Sequence, residues 1–126
     1  MMRSPVTIIA LCSIFSCLPA ALPPWHVSSE ELEKAEVVLR EGLRSDEFWP
    51  AMHAAEAMTL ARMGDEVIAY LQPKLAEEKD DQRRCGLARE LVRAGQVEYA
   101  EVMFDILRGD DPHGHVHAAE SLFKVG

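Results

Sequence analysis

Gly64, Gly95 and Gly126 stand 31 residues apart, and the ten-residue stretches that end on them align. AEAMTLARMG (55–64), GLARELVRAG (86–95) and HAAESLFKVG (117–126) share alanine at Ala57, Ala88 and Ala119 and leucine at Leu60, Leu91 and Leu122. They also share a basic residue at Arg62, Arg93 and Lys124. A fixed internal period restricts the fold more than composition does. Each unit must then be one supersecondary element that buries its apolar side against its neighbours. The halves that follow the first two glycines keep the same offset. GDEVIAYLQPKL (64–75) lies on GQVEYAEVMFDI (95–106), with Ile68 on Tyr99, Ala69 on Ala100, Leu71 on Val102 and Leu75 on Ile106. Apolar positions at i, i+3 and i+7 mark one face of a helix.

Each unit therefore reads as two helices, the first closed by its glycine in the left-handed conformation. The basic residue two places earlier is expected in the last turn, where it offsets the helix dipole. The pattern predicts six helices, over about 30–43, 48–63, 66–77, 81–94 and 97–107, and from about 112 to the C-terminus. Ser28 or Ser29 is the expected cap of the first, with Ser29 and Glu33 in an approximate capping box. Pro50 falls in the first turn of the second, and Pro73 is expected to kink or shorten the third. The paired acids Asp80-Asp81 and Asp110-Asp111 read as caps and first-turn charges of the fourth and sixth. Nothing alternates with a period of two, so no strand is predicted.

The start of the chain has a different character. Arg3, an apolar run over 6–18 and the small Ala20 and Ala21 have the layout of a secretory leader over 1–21. The run is shorter than the roughly 20 residues of a membrane span. Export to a periplasmic or extracellular space is expected, with an uncleaved N-terminal anchor as the alternative. A short linker (22–29) then leads to a repeat domain (30–126). The domain divides into a partial unit (30–47), two units (48–79 and 80–109) and an incomplete unit (110–126). Removing Arg3 with the leader changes the formal charge from −8 to −9. Such acidity argues against nucleic acid and anionic lipid as partners. Cys12 and Cys17 lie in the leader, so Cys85 is left without an internal disulfide partner. Cys85 reads as a small buried apolar residue.

MHAAEAMTLARMGDEVIAYLQPKL (52–75) and VHAAESLFKVG (116–126) resemble the short HEAT-like repeats of phycobilisome lyase-related proteins. The resemblance covers about 48–126 and, more loosely, 30–43. It implies an all-α fold, an armadillo-type α-solenoid of antiparallel helix pairs. It implies a scaffold that binds other proteins; some members of the family act as lyases or chaperones for cofactor attachment, and one branch carries a di-iron hydroxylase site. It further implies an inner surface lined by the second helix of each pair. The exposed positions there, Glu66, Lys74, Glu98, Glu101 and Asp105, are the candidate partner-binding residues. AGQVEYAEVMFDIL (94–107) instead has the small-aromatic-alanine pattern of tetratricopeptide repeats, whose period is about 34 residues. The glycine spacing of 31 favours the HEAT-like alternative.

The doubled HAAE box is the sharpest chemical candidate. His53 with Glu56, and His117 with Glu120, are candidate metal ligands, because residues three apart share a helix face. Two such pairs on neighbouring helices would make a di-metal site, with His113 and His115 as further ligands. The boxes stand 64 residues apart rather than 62, and CGLARE in the middle unit supplies neither ligand. The adjacent His-Glu pair of the di-iron branch is replaced by Met52-His53 and Val116-His117. No cofactor is therefore expected. There is no phosphate loop, zinc motif, nucleophile elbow or EF-hand spacing. The favoured expectation is a non-catalytic scaffold for a protein partner of unspecified identity. A metal-binding or lyase-like accessory enzyme and a tetratricopeptide-like module are the alternatives. Trp49 is expected to cap the stack or join the core rather than anchor a partner. The last unit has a first helix without a second, so an uncovered apolar face and a longer parent array are expected.

Overall fold

The computed structural model describes residues 26–126, so the expected leader and the first residues of the linker lie outside it. The described residues are all helical. Six helices follow in order: α1 (Ser29–Leu43), α2 (Phe48–Leu60), α3 (Gly64–Glu77), α4 (Asp81–Arg93), α5 (Ala100–Arg108) and α6 (His115–Val125). A 3-10 turn, Val97–Tyr99, leads into α5. Consecutive helices pack on one another, and α2, α4 and α6 also pack in a row. We refer to these three as the front row and to α1, α3 and α5 as the back row. Polar bridges tie the back row together. Arg40 of α1 donates to Glu66 of α3 at 2.9 Å, and Gln72 of α3 meets the Tyr99 hydroxyl at 2.7 Å.

Side chains cap two of the six helices at their N-termini. The Ser28 hydroxyl accepts from the Glu31 amide, and the Glu31 carboxylate accepts from the Ser28 amide at 2.8 Å. This capping box uses Ser28 and Glu31 rather than Ser29 and Glu33. Asp80 caps α4 by accepting from the Arg83 amide at 2.9 Å. Neither Asp110 nor Asp111 caps α6, which starts at His115 rather than near Pro112. Asp111 accepts from the His113 amide at 2.9 Å, so its carboxylate is spent in the loop. Gly114, at φ 91°, then turns the backbone into the helix. Pro73 does not end α3, which continues to Glu77 with Leu71 and Leu75 buried on either side.

The front row does not keep the glycine period. Its helices begin at 48, 81 and 115, offsets of 33 and then 34 residues. In that register Met52 matches Cys85, Ala55 matches Ala88 and Met58 matches Leu91, and all six are buried. The 31-residue register instead pairs Leu91, fully buried, with Leu60, which is 82% exposed. The cause lies at the end of α2. Arg62, at φ 65°, takes the left-handed position, and the Met63 amide bonds back to the Met58 carbonyl at 2.8 Å. Gly95, at φ 102°, does the same after α4, with the Gln96 amide on the Leu91 carbonyl at 3.0 Å. Gly64 closes nothing; it is the first residue of α3. Arg62 accordingly lies beyond α2 rather than in its last turn, whereas Arg93 and Lys124 do sit in the last turns of α4 and α6.

The back row keeps the 31-residue match only in part, since the fully buried Val67 and Met103 fall on the exposed Glu98 and Gln72. Leu75 and Ile106 are both buried, and Leu71 is buried where Val102 is half-buried. The 3-10 turn reconciles the two registers. It rises about 2 Å per residue against about 1.5 Å in an α-helix, so it opens the second helix with fewer residues. The core centres on α4, where Cys85 to Leu91 are buried without interruption among α2, α3, α5 and α6.

Candidate functional site

A cleft of about 360 Å³ opens where the turn after α1 meets α2, α3 and α4. Leu43 ends α1 and is buried, and the Arg44 guanidinium then donates to the Arg40 carbonyl at 2.8 Å. That bond directs the turn, and Phe48 starts α2 on the far side. The floor is apolar, formed by Leu43, Ala51, Met52, Leu71 and Leu87. The rim carries three cations, Arg44 from the turn, Lys74 from α3 and Arg83 from α4. Aromatic rings position them. Lys74 Nζ lies 4.7 Å from the Tyr70 ring centroid and Arg44 lies 6.0 Å from the same ring. Arg83 lies 5.5 Å from the Phe48 ring. Such contacts contribute about 0.5–1 kcal/mol each at exposed sites.

Asp46, Glu77 and Glu78 also line the cleft. Glu78 is already engaged, since one carboxylate oxygen accepts from the Lys79 and Asp80 amides at 2.8 and 3.0 Å. An apolar floor under a few convergent polar groups is the usual make-up of a ligand site. Here the three acids match the three cations in number, and Glu78 lies 4.0 Å from Arg83, so Arg44 and Lys74 are the cations without a carboxylate partner at ion-pair distance in the cleft.

The candidate metal ligands are distributed otherwise. His53 is exposed on α2, and Glu56 pairs with Arg93 of α4 at 2.8 Å. His117 stacks on Trp49 with ring centroids 5.5 Å apart. Glu120 accepts from Lys124 at 2.6 Å, and that hydrogen bond holds its carboxyl below the usual carboxylate range. His115 meets the Gly109 carbonyl at 3.0 Å, and His113 meets Asp80 at 3.1 Å. Among the described residues no three histidine, cysteine or acidic side chains converge as a metal site. Burial pushes the Cys85 thiol up to about 11, which leaves it protonated and unreactive near neutrality.

Of the candidate partner-binding residues, Lys74 alone lines the cleft. Glu66 is held by Arg40, and Glu101 and Asp105 lie 3.7 and 3.9 Å from Arg108. Glu98 sits in the 3-10 turn. Sequence periodicity misses Arg44, Tyr70 and Arg83, because they come from a turn and from two helices in different rows. It also misses a charged network inside the front row. Glu90 is fully buried, accepts from Arg89 at 2.7 Å and from Arg93 at 3.1 Å, and Arg93 passes on to Glu56. Gly86 is a legible signal in retrospect. A side chain there would meet Phe48 at 3.0 Å and Trp49 at 3.4 Å, so its absence lets both aromatics lie across α4. Trp49 stays 40% exposed.

No helix among the described residues is long and apolar enough to cross a membrane. Comparison with protein-family models, curated proteins and solved structures found no match to the chain.

Proposed function

We propose that the chain is an exported, non-catalytic helical-repeat scaffold for protein–protein interaction, and that its cleft receives an extended partner segment. The segment seats an apolar side chain on Leu43, Met52 and Leu87 and presents a carboxylate to Arg44, Lys74 and Arg83. The cleft carries this reading, because it sets an apolar floor beneath a rim of mixed charge in which aromatic rings support Arg44 and Lys74. The packing order supports a solenoid, since each helix touches the next and the front row is continuous. The leader pattern supports export.

Within this class the HEAT-like assignment rests on the residue pattern of the HAAE boxes. The tetratricopeptide-like alternative has a specific observation in its favour. The front-row offsets of 33 and 34 residues come close to that family's period of about 34. They also remove the 31-residue spacing as a ground for preferring HEAT-like repeats.

An acetylated peptide with one leucine between two aspartates tests the cleft by NMR titration. Amide shifts at Arg44, Tyr70, Lys74 and Arg83 are expected, weakening as salt screens the pairing. The double variant Arg44→Glu/Lys74→Glu is expected to abolish them. Shifts located elsewhere, or binding that survives both charge reversals, would rule out the cleft.

A further inference from the structure

The cation pair of the cleft is peculiar to its own unit. In the register that sets Leu71 on Val102 and Leu75 on Ile106, Tyr70 falls on Glu101 and Lys74 on Asp105. Those two acids lie 3.7 and 3.9 Å from Arg108, so the later unit balances its charges on one helix. The earlier unit instead brings cations from two elements to one ring, Lys74 at 4.7 Å and Arg44 at 6.0 Å from the Tyr70 centroid. Helix packing does not require that arrangement, because α4 and α5 pack without it. One Arg44 nitrogen donates to the Arg40 carbonyl at 2.8 Å, which anchors the guanidinium and leaves other donors of its fork to face the cleft.

Apolar and cationic groups of the cleft stand side by side. Leu43 of the floor immediately precedes Arg44, and Leu71 lies within one helical turn of Lys74 on α3. Leu43, Met52 and Leu87 are each 2% exposed, so the floor is narrow and one apolar side chain covers it. The occupant must therefore carry an apolar group and an anion close together. Residues inside an extended segment do this poorly. Neighbouring side chains point to opposite faces, and those two apart are separated by about 6.6 Å of backbone. The last residue of a chain does it alone, because its side chain and its α-carboxylate leave the same Cα.

Taking the cleft as the partner site, as above, we propose that it captures the C-terminal end of a partner chain. An apolar last residue seats on the floor, its α-carboxylate pairs with Arg44 and Lys74, and a basic residue just before it answers the free acids Asp46 and Glu77. Those acids supply the last element. Glu78 alone of the three in the cleft has a cation at ion-pair distance, Arg83 at 4.0 Å. Glu77 is exposed and stands three residues beyond Lys74, about 4.5 Å further along the axis of α3. The cleft thus runs from a cationic end at Tyr70 to an acidic end at Glu77, which fixes the direction of the bound chain. Its volume of about 360 Å³ is near the low end of ligand sites, about 300–1,000 Å³. That suits a short extended end rather than a helix, whose diameter with side chains is about 10–12 Å.

NMR titration with acetyl-Gly-Lys-Lys-Leu, once with a free C-terminal carboxylate and once amidated, tests the capture. The free acid should shift the amides of Arg44, Tyr70 and Lys74. The amidated form should bind about tenfold more weakly or worse, since it lacks the charge that both cations meet. Replacing both peptide lysines by glutamine should weaken the free acid, and Asp46→Asn/Glu77→Gln in the protein should erase that preference. Both acids are exposed, so helical circular dichroism of this variant should be unchanged. An amidated peptide that binds as tightly as the acid, or an acid that binds equally well without its lysines, would overturn the proposal. Should amidated acetyl-Asp-Leu-Asp reach the cleft while the free carboxylate adds nothing, terminal capture falls and the cleft stands as a partner site. Should none of these peptides shift the cleft, both fall together.

Discussion

α4 and α6 occupy successive places in the front row, yet they bury very different things. α4 hides seven consecutive residues, including Arg89 and the fully buried Glu90. α6 buries Ala118 and Ser121 while leaving Phe123 90% exposed. Hydrophobicity alone would place a phenylalanine inside and a glutamate outside. Place in the row decides instead. α4 has neighbours on every side, so even its charges are enclosed, and they survive there only because Arg89, Arg93 and Glu56 pair them off. A half-satisfied charge in such a setting costs more than the pair contributes.

The sharpest way to break this contrast is Glu90→Gln. It removes the negative charge shared by Arg89 and Arg93 and puts an amide NH2 donor in place of one acceptor oxygen, and should destabilise the fold by about 3–5 kcal/mol, read by denaturant unfolding. Leu91→Ala, at a fully buried position of α4, should cost about 2–5 kcal/mol. Phe123→Ala on α6 should stay within about 0.5 kcal/mol for the monomer.

The two left-handed glycines give a finer comparison. A Cβ at Gly114 would come 2.8 Å from Asp81 Cβ and 3.0 Å from Ile106, where α6 meets α4. A Cβ at Gly95 would meet nothing within 4 Å. Gly95→Ala should therefore cost about 1–2 kcal/mol from its backbone conformation alone, and Gly114→Ala clearly more, by thermal unfolding.

The smallest effect concerns the His113–Asp80 pair, which ties the loop before α6 to the cap of α4. Their hydrogen bond raises the His113 imidazole above 6.5 and lowers the Asp80 carboxyl below 3.8. The imidazole stabilises fully below its ordinary value, and that contribution fades as pH rises through the raised one. The carboxyl stabilises above its ordinary value, and its contribution fades as pH falls through the lowered one. Both act together between about pH 4 and 6.5. The difference in Tm between the unaltered chain and His113→Gln should peak there and shrink above neutrality.

Much of this architecture is legible in the residues, and the exceptions have physical causes. The number of helices, the Asp80 cap and the burial of Cys85 follow from period and residue type. The register of the front row does not. Arg62 takes a left-handed turn that the glycine pattern assigns to Gly64, and this moves the row by two residues. Nothing in the local sequence marks an arginine for that place; the Met63 amide bond to Met58 and the packing of α3 behind it set the turn. The start of α6 is hidden for a similar reason, because Asp111 spends its carboxylate on the His113 amide before the helix begins. Of the cleft, only Lys74 is legible as a binding position. Arg44, Tyr70 and Arg83 meet through tertiary packing, which no short-range spacing encodes.

Native-state hydrogen exchange tests the contrast between the enclosed α4 and the exposed α6 most directly. The amides of 85–91 in α4 should exchange slowest, and those of α6 and α1 markedly faster, because among the described residues α4 packs on four helices while α6 packs on α4 and α5 and α1 chiefly on α2. Protection in α6 equal to that in α4, or an α4 that opens as readily as the ends, would contradict the account.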